Sequence, residues 1–392
     1  MHRALAFSAL MLLAPAAHAA GYEPHWYFES LSSDGKRALL RELDPASRAR
    51  FHVRVVEVDS GAVDVDTTLA ELAKVPAATI GGKPTEIAEL QWMLASPAFA
   101  RDIARGAAIA EQFPFGACGR LAATHAAGPS PEKSAIAFDA GDWLYVADAS
   151  GRVQKRMSEE ASYDPRFTPD GKSLFFRRAT GSDGLFAKYE LFVAPADQSS
   201  APRALPGTAG LRDRFFANPD GSSAVAFSSK VRGSGADKSF ETCAISVGLK
   251  PPYATRRLAC LDGGEQLVEA VVSPKGKFAA ISTKKHGEHG PAFRLRVVAL
   301  ATGKVLRDEP ESVGLEIRAI SDIGLMVQSG PPGYRGAGRS GIVVTDVPAQ
   351  RWRSLDTPID LGHRGFFRSD HELVYLDGGG ARVLDVLAPA AP

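Results

Sequence analysis

The chain has 392 residues, with 46 Lys and Arg against 45 Asp and Glu, so its formal net charge is only +1. That balance offers no global basis for binding nucleic acid or a membrane surface. Apolar residues make up 45% and aromatic residues 8%, as in an ordinary globular protein, while 38 Gly and 26 Pro point to many turns and therefore many short strands.

The N-terminal stretch MHRALAFSALMLLAPAAHAA places His2 and Arg3 before an apolar run from Ala4 to Leu13, followed by small residues ending in Ala17-His18-Ala19. This pattern predicts a secretory signal peptide over residues 1–19, cut after Ala19. The apolar run is too short to span a bilayer, and no later run of about 18 uncharged apolar residues appears. No Cys lies near the cleavage site to carry a lipid, so a periplasmic or secreted protein is expected.

A turn signature then recurs along residues 20–392. It reads SSDGKRALL at Ser32, PSPEKSAIAF at Pro129, FTPDGKSLFF at Phe167, ANPDGSSAVAF at Ala217, VSPKGKFAAI at Val272, ISDIGLMV at Ile320 and RSDHELVYL at Arg368. Pro sets the turn corner, Asp bonds nearby backbone and Gly accepts positive φ, while the alternation that follows suits a half-buried strand. A second element follows each turn, as in VRVVEVDSGAV at Val53 and LRVVALATGKV at Leu295: a strand, a tight turn and a further strand. With an apolar strand before each turn, the unit has four antiparallel strands, and most units are about 45 to 55 residues long. Seven such units predict a seven-bladed β-propeller of four-stranded blades.

The turn fingerprint resembles the TolB-type, WD40-like (PD40) propeller repeat family over nearly the whole mature chain. Such propellers serve unrelated roles, so the resemblance implies a fold and not an activity. TolB proteins also carry an α/β domain before the propeller, and no segment here matches it. The seventh unit ends at Leu387 with no evident fourth strand, which leaves closure either to Gly21–His25 or to packing alone.

Between residues 66 and 118 the β pattern breaks and a helical insertion is expected. Thr68-Leu69-Ala70-Glu71 reads as a capping box, Thr85 caps a second helix with Ile87, Leu90 and Leu94 on one stripe, and Ser96-Pro97 starts a third with Phe99, Ile103, Ala107 and Ala110 at helical spacing. The insertion either folds down over the propeller or binds a partner.

Cys243 and Cys260 are equidistant from the Lys250-Pro251-Pro252-Tyr253 turn, so a symmetric hairpin sets them opposite each other for a disulfide; two reduced core thiols are the alternative. Cys118 has no local partner. Gly336-Ala-Gly338-Arg-Ser-Gly341 fits a dinucleotide-binding pattern but leads into the strand Ile342-Val-Val-Thr, so it reads as a loop. His286-Gly-Glu-His289 lies in a Gly-rich loop without a third ligand, and His125 and His363 read as structural. No G-x-S-x-G elbow is present. No catalytic, cofactor or metal residues are therefore assigned, and no cofactor is expected.

One distributed feature remains. The loops joining second to third strands share a propeller face and carry Arg177, Arg178, Lys188, Lys230, Arg232, Lys238, Lys284, Lys285, Arg294, Arg335 and Arg339 against Asp183, Glu190, Asp237, Glu241 and Glu288. That face suits an anionic partner, although scattered Lys and Arg also merely solvate loops. The leading expectation is a monomeric, exported, non-enzymatic module that binds a protein or an anionic envelope component, without nucleic acid or a transmembrane segment. The other reading is an enzyme, of hydrolase or lyase type, with its site in the central funnel.

Overall fold

A computed structural model of the protein describes residues 26–43, 50–70, 79–80, 83–84, 96–110, 112–113, 127–129, 135–140, 143–148, 150, 152–157, 160–168, 170–182, 187–211, 216–217, 222–233, 239–261, 264–287, 290–310, 316–330, 342–355, 365–377 and 380–388. The first repeat forms an antiparallel sheet of β1 (Tyr27–Leu31), β2 (Arg37–Leu43), β3 (Arg50–Glu57) and β4 (Val63–Ala70). A two-strand ladder of β5 (Thr79–Ile80) and β6 (Lys83–Pro84) and the helix α1 (Pro97–Ala110) follow. The second sheet holds β7 (Ala127–Pro129), β8 (Ala135–Ala140), β9 (Trp143–Asp148) and β10 (Val153–Arg156), and the third β11 (Ser162–Phe167), β12 (Ser173–Ser182), β13 (Ala187–Pro195) and β14 (Arg203–Ala204). The fourth holds β15 (Phe216–Ala217), β16 (Ser223–Arg232), β17 (Ser239–Gly248) and β18 (Thr255–Leu261), and the fifth β19 (Gln266–Val272), β20 (Phe278–Gly287), β21 (Gly290–Ala299) and β22 (Lys304–Pro310). The sixth holds β23 (Glu316–Ile320), β24 (Leu325–Ser329), β25 (Ile342–Asp346) and β26 (Arg351–Leu355); the last repeat makes a three-stranded sheet of β27 (Phe366–Phe367), β28 (Glu372–Asp377) and β29 (Gly380–Asp385).

The all-β propeller stands, but the expected seven four-stranded blades are overturned. There are six four-stranded blades among the described residues, not seven. The last repeat shows three strands among the described residues, and past β29 the Ala388 carbonyl accepts from Arg353 Nη1 of the sixth sheet at 3.1 Å. First strands of neighbouring sheets touch (β7 with β11, β19 with β23, β23 with β27), which sets them at the centre of the ring. The second-to-third-strand hairpins then project from one face and the Asp-Gly turns from the other.

Side chains alternate along each strand and fill the gaps between sheets. Phe175, Leu191, Ala226 and Ile245 pack the third sheet on the fourth, and Phe227, Leu267, Ala279 and Val298 pack the fourth on the fifth. The ring closes by packing of Trp26, Phe28, Leu40 and Val56 of the first repeat against Val374 and Ala381 of the last. Residues Gly21–His25 lie outside the described residues.

The insertion also departs from expectation. A single helix, α1, appears among the described residues, and Thr68-Leu69-Ala70 lies in β4, where pairing with His52, Phe51 and Arg50 wins over the capping box. Thr85, Ile87, Leu90 and Leu94 lie outside the described residues. The third predicted start is correct, since Ala100 N–H donates to the Ser96 carbonyl at 3.0 Å as the first helical turn closes. α1 buries Phe99, Ile103 and Ile109, touches both β4 and β7, and shares a cluster with Leu39, Val53 and Leu69. Phe99 also meets Phe138 of β8 edge-on at 6.2 Å. The helix is thus a wedge between the first and second sheets.

Candidate functional site

Eight of the eleven residues expected to form a basic face lie on the second and third strands of the third, fourth and fifth sheets, and ion pairing divides them into two groups. The described arginines are engaged. Arg177 pairs with Asp164 and lies over the Tyr189 ring; Arg178 pairs with Glu160 at 2.8 Å and lies 4.3 Å over the Phe192 ring. Arg232 meets Glu241 at 2.8 Å, and Arg294 grips Asp308 through Nε and Nη2 at 2.5 and 2.9 Å. The Arg232 hydrogen bond holds the Glu241 carboxyl below the usual range, and the Arg294 hydrogen bond does the same for Asp308. Lys188, Lys230, Lys284 and Lys285 make no ion pair among the described residues. Lys238, Arg335 and Arg339 lie outside them.

Behind this face sits a buried polar network. Arg296 donates to both Glu265 oxygens, at 2.5 and 3.3 Å, and Thr283 Oγ1 donates to Oε2 at 2.7 Å. Thr242 Oγ1 donates to the Glu265 carbonyl at 2.9 Å and meets Ser229 Oγ at 3.0 Å, which ties the fourth sheet to the fifth. Burial pushes the Glu265 carboxyl up, but the Arg296 and Thr283 hydrogen bonds outweigh it and the net shift is down.

The innermost strands carry a bulge at matching places in three sheets, at Glu29, Asp164 and Arg318, each two pairs beyond the turn. A bulge re-aims a side chain, and here it presents a charge. Each is answered within its own sheet: Glu29 by Arg41 at 2.7 Å, Asp164 by Arg177, and Arg318 by Ser329 Oγ at 2.5 Å and Glu316 at 2.6 Å.

Cys243 and Cys260 are cross-strand partners on β17 and β18 and form a disulfide, with Cα atoms 4.0 Å apart. The symmetry argument holds through compensation. Beyond the Lys250–Tyr253 turn the register runs one residue out, and the bulge between Ala244 and Ile245 restores it before Cys243. Glu241 and these two cysteines are close enough to share an ion, but the disulfide occupies both sulfurs.

Sequence reasoning missed a second cluster, on the first sheet. His52 on β3 has Nε2 in contact with Asp66 Oδ1 of β4 and Nδ1 3.7 Å from Glu42 Oε2 of β2. Arg54 donates to Asp66 from Nε at 3.2 Å and Nη2 at 2.9 Å and lies 4.6 Å over the buried Trp26 ring. These residues are scattered through the sequence and meet only through the register of three strands. Alternation in Phe51-His52-Val53-Arg54 gave the one available signal, a polar face on β3.

Other sequence candidates yield less. His286 is the penultimate residue of β20, without a described side chain, while His289, Cys118, His125, His363 and the loop from Gly336 to Gly341 lie outside the described residues. No described helix is long and apolar enough to cross a membrane.

No family model matches the chain, and no curated protein sequence matches it. Solved structures similar to it include hydrazine synthase of Kuenenia stuttgartiensis, at 11% identity and a TM-score of 0.46, covering 96% of this chain and 99% of that one. A TolB-like structure from Agrobacterium tumefaciens has 15% identity and a TM-score of 0.34 over 67% of this chain and 91% of its own. TolB from Acinetobacter baumannii has 15% identity and a TM-score of 0.30 over 77% and 75%. These likenesses carry no argument about activity; the propeller rests on the strand pairing itself.

Proposed function

We propose that the protein is an exported, TolB-like propeller that binds an anionic envelope component on the hairpin face of its third to fifth sheets. The observation that carries this reading is the division among the basic residues. Arginines paired with carboxylates build a frame, while Lys188, Lys284 and Lys285 make no ion pair among the described residues and Lys230 stands opposite Glu241, whose carboxylate Arg232 also holds. Such lysines attract anions over a range that salt shortens. The signal-like N-terminus and the disulfide both suit an oxidising compartment outside the cytoplasm. The funnel reading has less support, because the charged bulge residues Glu29, Asp164 and Arg318 are already answered within their own sheets.

The test is binding of fluorescent polyphosphate and polyglutamate to the wild type and to the K188Q/K230Q/K284Q/K285Q variant across a salt series. Salt-sensitive binding that falls at least tenfold in the variant supports the reading, and the preferred probe separates a phosphate-rich polymer from an acidic polypeptide. Absent binding, or equal affinity in both proteins, overturns it.

A further inference from the structure

The strongest unassigned chemistry lies at the hairpin end of the first sheet. Strand register sets Glu42 opposite His52 and brings Asp66 diagonally to the same ring. The Glu42 side chain is 4% exposed, and its Oε1 is shielded from solvent and has no hydrogen-bond partner among the described residues. A buried carboxylate in that state calls for a cation or a donor.

Glu42 Oε2 stands 3.7 Å from His52 Nδ1. That is too long for a hydrogen bond. It falls within the roughly 3–4 Å spanned by two donors that each lie about 2.0–2.2 Å from one ion. On the other side of the ring, Nε2 is engaged by Asp66 Oδ1. An Nε2–H donated to that carboxylate leaves the Nδ1 lone pair on the Glu42 side. Metal-bound imidazoles are held this way, with the distal N–H given to a carboxylate that fixes ring and tautomer. Asp66 is fixed in turn by Arg54, and Arg54 by the face of Trp26. The His52 side chain is 30% exposed, so solvent reaches the ring.

We propose that Glu42 and His52 bind a first-row divalent cation, with Asp66 as the positioning residue. Nitrogen and oxygen donors suit ions of the Zn²⁺ class rather than soft monovalent copper. Two protein donors leave the other coordination positions to water, so the site is open and exchangeable rather than a closed structural one.

The test titrates metal-stripped full-length protein with Zn²⁺ by calorimetry and follows Co²⁺ by absorption. Wild type is expected to take up one equivalent with nitrogen and oxygen coordination. Glu42→Gln, which keeps the side-chain shape, and His52→Gln should each weaken uptake at least tenfold, and Asp66→Asn by about 10–100-fold. Circular dichroism confirms that each variant is folded; should His52→Gln fail to fold, Glu42→Gln decides alone. His286→Gln/His289→Gln should bind as wild type does. No stoichiometric uptake by the wild type, unchanged affinity in Glu42→Gln, or loss of uptake in the His286/His289 variant would each overturn the proposal.

Discussion

Gly35 lies so close to Arg368 that a Cβ on the glycine would meet the Arg368 Cβ at 2.8 Å, and its φ is +70°. This contact joins the first turn of the chain to the last sheet, where Arg368 also pairs with Asp59 and Glu372. Gly61 offers a control with φ +71° and nothing within 4 Å of the added carbon. We expect Gly61→Ala to cost about 1–2 kcal/mol through its left-handed backbone alone. Gly35→Ala should cost about 1–3 kcal/mol more, because the seam must open. Denaturant midpoints for the two variants check this, and equal losses would remove the tight closure of the ring at this turn.

The disulfide spans 17 residues between neighbouring strands of one sheet. Closing a loop of that size restricts the unfolded chain and contributes about 3 kcal/mol in the chain-entropy account. Cys243→Ala/Cys260→Ala should lose that amount, with a further cavity cost at Cys243, which is buried between the third and fourth sheets. Reductant should lower the wild-type melting temperature and leave that of the variant unchanged. A wild type indifferent to reductant would show that the bond adds nothing to stability.

The repeated turn was legible because it is local. Gly35, Gly171, Gly276 and Gly324 all have positive φ, as the motif requires. What was overlooked is the hydroxyl that opens each turn: Ser32, Thr168, Ser273 and Ser321 are buried, and each accepts a hydrogen bond from a backbone N–H four or five residues on. The repeats were counted from these local signals, but a fourth strand in a sheet depends on a partner distant in sequence, and the last sheet shows three strands among the described residues. Thr68 and Leu69 illustrate the same limit, since local capping chemistry lost to pairing with β3. His52, Glu42 and Asp66 carry no motif, and strand register alone unites them. The basic residues were visible individually, whereas the engagement of Arg177, Arg178, Arg232 and Arg294 with carboxylates required the fold.

The wedge formed by α1 predicts an uneven response along the helix. Ile103 is fully buried and Arg101 faces solvent two residues earlier. Ile103→Ala should cost about 2–5 kcal/mol, since the first and second sheets cannot close over the cavity without moving. Arg101→Ala should stay within about 0.5 kcal/mol. Unfolding curves of the two variants give the comparison. If Ile103→Ala is as mild as Arg101→Ala, α1 is an appendage and not part of the ring's packing.

Acid should destabilise the ring through identifiable carboxylates. The hydroxyls of Ser32 and Thr168, with the N–H groups of Lys36 and Lys172, hold Asp34 and Asp170 below the usual range. Glu265 is pushed up by burial and pulled further down by Arg296 and Thr283. Folded values below unfolded ones mean the stabilisation is complete above about pH 4–5 and is lost as pH falls through the folded values. Asp34 and Asp170 are solvent-exposed enough that screening keeps their shares small, so Glu265, 8% exposed, should dominate. Glu265→Gln should be less stable at pH 7 by about 2–3 kcal/mol, as charged hydrogen bonds to Arg296 become neutral ones. Between pH 5 and pH 3 it should then lose less stability than the wild type, because it has no carboxylate there to protonate. Thermal melts of both proteins across that window decide the point, and parallel pH profiles would mean that Glu265 carries none of the acid sensitivity.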